Sequence, residues 1–132
     1  MKPVYIYILP LLFILLLSCE KAPINGQLDG QWEVVDVYPV PEQIVIKERL
    51  FYNFSLHVCM LSYYGGTLAF SNLDYNGEEI KLNFIEEAPD GDLNALPQYG
   101  IVENPIIFTV NFQDNHHLTL TSDVSKVVLI KH

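Results

Sequence analysis

Apolar and polar residues alternate with a period of two along most of the chain beyond residue 30. This alternation is typical of β-strands that bury one face. The clearest examples are "EEIKLNF", "PIIFTVNF" and "HLTLTS", and Gly30 to Tyr38 forms a further candidate strand. The final segment, "KVVLIK", is apolar on both faces, which indicates a strand inside a sheet or one that closes it. About seven or eight strands separated by turns predict an all-β antiparallel barrel or sandwich.

The longest alternating segment is "RLFYNFSLHVCMLSYY". Its even positions from Leu50 to Met60 are apolar, so the pattern predicts one long strand with one buried face. The glycines in "YYGGT", residues 63–67, predict a tight hairpin turn directly after it. The next strand, "TLAFSNL", is predicted to place Leu68 and Phe70 on the same side.

An acidic interval from Ile85 to Asn104, rich in Pro and Gly, interrupts this series. Only Leu93 to Tyr99 is predicted to form a helical turn. Loops of this length often cover a functional site, although a spacer is the alternative. "DGDLN" at 90–94 imitates the start of a calcium loop, but Ala95 replaces the required Gly and Ile101 the chelating Glu. An acidic loop without a calcium site is therefore expected.

The amino terminus has the organisation of a secretory signal. Lys2 precedes an apolar run from Val4 to Leu17 that is shorter than the roughly 20 residues of a membrane span. "LLSC", ending at Cys19, resembles a bacterial lipobox. The resemblance implies cleavage before Cys19 and acylation of its sulfur, and ordinary secretion with a free Cys19 thiol is the alternative.

These features divide the chain into three parts: a lipoprotein signal peptide at 1–18, a flexible tether at 19–29 and a β-barrel domain at 30–132. Several acyl chains together anchor a protein firmly. The expected location is the cell envelope, lipid-anchored to a bacterial membrane, with the outer membrane or the periplasmic side favoured.

Charge and cysteine content argue against nucleic-acid binding and against a disulfide. The chain has 16 Asp and Glu against 7 Lys and Arg and a net charge of −9, so a nucleic acid would be repelled. Membrane association must then come from the lipid. With Cys19 acylated, Cys59 has no partner, and we expect it to be a small buried hydrophobic residue without a disulfide.

The first strand begins "LDGQWEVVDV", which places Gly30-x-Trp32 at its head. Together with the lipobox, the short tether, the "YGI" insertion and the closing "LTLTS…KVVLIK" hairpin, this resembles the small lipocalin-like lipoproteins of Gram-negative gut bacteria. The resemblance implies a closed or nearly closed calycin-type barrel. It also implies that a basic residue near the end of the chain packs on the Trp, with Lys126 and Lys131 as the candidates.

An eight-stranded barrel can fill with side chains or hold one small ligand. A candidate pocket for a small apolar ligand would be lined by Trp32, Phe54, Phe70 and Phe108, and this binding role is slightly favoured. The alternative is a packed barrel that serves as an interaction or inhibitor module of the envelope. Such a module would meet a protein or a glycan through the barrel rim, Tyr63-Tyr64 and the acidic loop at 86–92.

No pattern indicates catalysis, and we expect neither enzymatic activity nor a metal or cofactor. His116-His117 is predicted to lie in a solvated hairpin turn and not to bind a metal, because adjacent residues of a strand point to opposite faces and could not both ligate one ion. Glu78-Glu79 and Glu86-Glu87 border one strand and are expected at its solvated ends. The sequence contains no nucleophile elbow, phosphate loop or zinc spacing.

Overall fold

The computed structural model describes residues 24–88 and 91–132. Eight antiparallel strands follow one another in chain order and close into a barrel, because the last strand pairs with the first. The predicted all-β barrel is therefore confirmed, including the closing role of "KVVLIK". The strands are β1 (Gly30–Tyr38), β2 (Leu50–Ser55), β3 (Val58–Tyr63), β4 (Gly66–Tyr75), β5 (Glu79–Glu87), β6 (Ile106–Asp114), β7 (His117–Thr121) and β8 (Lys126–Ile130).

Two short 3₁₀ helices lie at opposite ends of the barrel. The lower end carries η1 (Gly26–Leu28), the β2–β3 turn, the β6–β7 turn and the final residues of the chain. The upper end carries the β1–β2 loop at 39–49, the β3–β4 turn and η2 (Leu93–Tyr99). The helical turn predicted inside the acidic interval is confirmed as η2.

Alternating strand positions send large apolar side chains into the barrel, where they form one core. Burying this apolar surface is the main favourable contribution to the stability of such a domain. Besides the strands, both 3₁₀ helices contribute side chains to this core: Leu28 from η1, and Ala95 and Tyr99 from η2. The largest fully buried side chains are Trp32, Tyr52, Tyr99, Phe54, Phe108, Leu28, Leu61, Leu68, Ile80, Leu82, Ile106 and Leu118.

The predicted long strand from Leu50 to Met60 is wrong, because the chain reverses there. β2 and β3 form a tight hairpin, and Leu56 adopts φ +54° in its turn. Even positions face inward in β2, whereas Cys59 and Leu61 face inward in β3. The segment contains no Gly, Pro or Asn-Gly at the turn, so the usual hairpin signal is missing.

A bulge reverses the side chains of β4, so the predicted inward position of Phe70 is wrong. Leu61 pairs with Ala69 and Ser62 pairs with Thr67, which leaves Leu68 as an extra residue. Leu68 and Ala69 are therefore both buried, and the next residue, Phe70, points to the outside. The glycine turn that precedes β4 is confirmed.

The predicted tether is too long at its barrel side. Asn25 and Leu28 are buried at the lower end, and Leu28 is part of the core. The folded part therefore begins before Gly30. The signal peptide, Cys19 and the first tether residues lie outside the described residues. Within the described part of the chain, no helix is both long and apolar enough to cross a membrane.

Candidate functional site

The lower end of the barrel is closed around the single Trp of the chain. Trp32 is fully buried, and its indole Nε1 donates a hydrogen bond to the Leu28 carbonyl oxygen at 2.9 Å. The Lys131 ammonium lies 5.1 Å from the centre of the indole ring, within the range of a cation–π contact. The same ammonium donates to the carbonyl oxygen of Asp29 at 2.6 Å. Of the two candidate basic residues, Lys131 is thus the one that packs on the Trp.

This arrangement explains the Gly of the Gly30-x-Trp32 motif. Gly30 has φ +124°, a conformation that L side chains rarely adopt. A Cβ atom at this position would lie 2.8 Å from Cε of Lys131. A larger residue would therefore displace the lysine from the indole ring.

The upper end is closed by a tyrosine of η2. Tyr99 is fully buried, and its hydroxyl donates a hydrogen bond to the Ser62 carbonyl oxygen at 2.6 Å. The Tyr52 hydroxyl donates in turn to the Tyr99 carbonyl oxygen, and the two rings meet edge to face at 5.9 Å. Burial raises the pKa of both phenols. Both tyrosines therefore stay neutral and hold η2 inside the mouth of the barrel.

A glutamine fastens the β1–β2 loop over this helix. The Gln98 Oε1 accepts hydrogen bonds from the backbone N–H groups of Val45 and Ile46, at 2.8 and 2.9 Å. Its Nε2 donates to the Ile46 carbonyl oxygen at 2.8 Å. Gly100, with φ +79°, ends the helix, and a Cβ there would clash with Cγ2 of Val127. The upper end is thus covered by two polypeptide layers.

Only three of the four candidate pocket residues share the barrel interior. Trp32, Phe54 and Phe108 are buried inside the barrel, whereas Phe70 is 37% exposed on its outer face. Sequence reasoning missed Tyr99, whose segment lacks the alternation of a strand. Tyr52 does lie at an inward even position of β2, so the pattern contained a signal for it.

A groove lined by both apolar and charged residues lies outside the barrel, between β1 and the β1–β2 loop, with a volume of about 490 Å³. Two loop residues on it are largely exposed: Val40 at 75% and Ile44 at 53%. Tyr64, in the β3–β4 turn, is connected to this region because its backbone N–H donates to the Arg49 carbonyl oxygen. We name this region the upper groove; it is lined by Val35, Val40, Pro41, Ile44, Ile46 and Leu50 among others.

Charged groups border the upper groove. The Glu33 carboxylate accepts hydrogen bonds from Arg49, at 2.6 Å from Nε and 2.8 Å from Nη2, and lies 2.6 Å from Nε2 of His132. Hydrogen bonds from Arg49 and then His132 lower the pKa of Glu33 to about 2. Glu33 therefore stays ionised at neutral pH and holds the arginine beside the groove.

The remaining candidates have local structural roles. Cys59 is a free, fully buried thiol whose pKa is raised by burial, as expected of a small hydrophobic residue. His116 lies in the exposed β6–β7 turn as predicted, whereas His117 begins β7, where it is exposed and contacts the Asp114 carboxylate at 2.8 Å. Asp92 accepts from the Asn94 backbone N–H and begins η2. Among residues 24–88 and 91–132, no three His, Cys, Asp or Glu form a metal-binding group.

A closed eight-stranded antiparallel barrel with a lysine on a buried Trp at its closed lower end defines a lipocalin-like fold. The chain matches the lipocalin-like domain family over residues 13–132 and therefore belongs to it. A solved lipocalin-like protein from Bacteroides uniformis is similar, with a TM-score of 0.57 and 23% identity over 81% of this chain and 100% of that one. That likeness supports the fold alone. No curated protein matches the chain.

Proposed function

We propose that this chain is a lipid-anchored protein of the Gram-negative cell envelope that binds a partner protein on the outside of a packed barrel. The interior carries this proposal, because several large aromatic side chains are fully buried inside the barrel. Trp32 lies at the lower end, Phe54 and Tyr52 pack at a ring distance of 5.7 Å, and Tyr99 closes the top. Such an interior is typical of an eight-stranded barrel filled by its own side chains.

The proposed role is binding without catalysis. Two of the concave regions lined by described residues, each about 490 Å³, lie on the outer surface. The upper groove combines exposed Val40 and Ile44 with the Glu33–Arg49 ion pair. Contiguous exposed apolar residues rimmed by polar groups are typical of protein–protein contact sites. Aliphatic branched side chains also suit a protein partner better than a glycan, for which flat aromatic surfaces would be expected.

The envelope location rests on the lipobox resemblance at Cys19, and acylation there would supply the membrane attachment that the acidic chain lacks. Replacing Cys19 with Ala should move the protein from the membrane fraction to the soluble fraction, because no acyl chain can be attached. Cell fractionation with immunoblotting measures this, and Cys59→Ala provides the control without loss of anchoring. Unchanged membrane retention of the Cys19→Ala variant would contradict the anchor.

The upper groove can be tested in living cells with a photo-crosslinking amino acid. Placed at Ile44, it should give a discrete adduct with an envelope protein. Placed at Ile107, which is 51% exposed on the outer face of β6, it should not. Adding Val40→Asp should reduce the Ile44 adduct at least tenfold without changing the melting temperature, since Val40 is mostly solvent-exposed. The same adducts at both positions, or none at Ile44, would refute the groove as the contact site.

A further inference from the structure

At the lower end of the barrel, three exposed aliphatic side chains of the described residues lie outside the hydrophobic core. Ile24 is 56% exposed, Leu56 is 60% exposed and Val58 is 45% exposed. The Asn25 side chain donates a hydrogen bond to the Leu56 carbonyl oxygen at 2.9 Å, which brings the start of the folded chain against the β2–β3 turn. We name this group the lower patch.

Leu56, in the lower patch, has an unusual backbone conformation. Leu56 is the one non-glycine residue with positive φ in the described chain, at +54°. This region favours Gly or Asn, and a leucine there costs about 1–2 kcal/mol. The two-residue β2–β3 hairpin requires positive φ at this position, where Gly or Asn would fit at lower cost. The fold therefore accounts for the backbone conformation but not for the exposed leucine side chain, which suits a contact outside the chain.

The chain between Cys19 and the lower patch is short. Cys19 lies five residues before Ile24. Five residues span at most about 17 Å in any conformation, since each extends the chain by no more than about 3.5 Å. Acyl chains on Cys19 would thus hold Ile24, and with it the β2–β3 turn, close to the bilayer surface. The β1–β2 loop part of the upper groove, which carries Val40 and Ile44, lies at the opposite end of the barrel, where a partner can reach it.

We propose that the lower patch inserts into the interfacial layer of the bilayer that holds the Cys19 acyl chains, and so orients the barrel with its upper groove away from the membrane. This inference rests on the lipid anchor of the proposed function. Side chains such as Leu and Ile contribute to interfacial binding through the apolar area that they remove from water.

In the experiment that tests this proposal, a synthetic acyl chain replaces the natural lipid anchor. Mature chain 19–132 is coupled at the Cys19 thiol to a maleimide with one C14 chain, while the buried Cys59 does not react. One such chain binds membranes only marginally, so a further contribution from the protein changes the partition constant measurably. Vesicles of phosphatidylethanolamine and phosphatidylglycerol are then used in co-sedimentation.

Leu56→Asn should lower the partition constant about five- to tenfold, because a polar side chain replaces the inserted leucine. It should leave the melting temperature unchanged or higher, since Asn adopts positive φ more readily. Tyr64→Asn, at the upper end, should change neither value. Equal partition of the wild type and Leu56→Asn, or an equal loss with Tyr64→Asn, would overturn the proposal. Because coupling replaces cellular acylation, failure of the natural anchor would appear separately, in the Cys19→Ala fractionation.

Discussion

Phe54→Ala should destabilise the protein by about 3–5 kcal/mol, whereas Phe70→Ala should cost less than about 1 kcal/mol. The two residues have the same side chain and were both predicted to line the interior. Phe54 is 1% exposed and packs against the Tyr52 ring, while Phe70 is 37% exposed on the outer face of β4. Removing the first ring leaves a cavity in the core, and removing the second mainly exposes its neighbours to water.

Urea unfolding of the two variants and the wild type, followed by circular dichroism, measures the difference in unfolding free energy. The pair controls for residue type and for the volume that is removed. Equal destabilisation by the two substitutions would show that the Phe70 side chain does not lie on the outer face of β4.

The comparison also shows how far the sequence predicts the fold. Alternation with a period of two predicted an antiparallel barrel or sandwich, because it depends only on one face of each strand being buried, and the resemblance to lipocalin-like proteins favoured the barrel. The alternation could not predict that Leu68 is an extra residue in β4, because a bulge needs no distinctive residue. Nor could it find the turn at Leu56, where an aliphatic residue occupies a position that usually requires Gly or Asn. Each of these features reverses which side chains face inward.

Tyr99→Ala should destabilise the protein by about 3 kcal/mol and open a cavity at the upper end of the barrel. The Tyr99 ring fills the mouth and contacts the Tyr52 ring edge to face, and its hydroxyl satisfies the Ser62 carbonyl oxygen. The polar contacts of Gln98 with the β1–β2 loop do not involve the Tyr99 side chain, so the loop should stay in place. An enclosed apolar space of this kind can admit a benzene-sized molecule.

Tyr99→Phe is the matched control, because it keeps the ring and removes only the hydroxyl, at a cost of about 1 kcal/mol. Benzene should raise the melting temperature of Tyr99→Ala and leave that of Tyr99→Phe and the wild type unchanged. A similar rise in all three proteins would mean that the barrel already contains a space for ligands.

The side chains that close the two ends of the barrel were only partly predictable from the sequence. The contact between Trp32 and a basic residue was implied by the resemblance to lipocalin-like proteins, with Lys126 and Lys131 as candidates, and in the structure Lys131 makes it. Tyr99 belongs to an acidic loop whose composition indicates exposure. Its burial depends on the position of η2 over the barrel mouth, which residues distant in sequence determine through Gln98 and Ser62. The local pattern of apolar and polar residues contains no information on contacts between segments that are distant in sequence.

Titration of the purified mature chain with a fluorescent fatty acid tests most directly whether the barrel is packed. The proposed packed barrel predicts no saturable uptake and no change in Trp32 emission, because fully buried aromatic side chains, Trp32 and Tyr99 among them, lie inside it. Saturable one-to-one uptake that an extract of envelope lipids displaces, with a matching change in Trp32 emission, would contradict the packed barrel and would favour a ligand carrier instead.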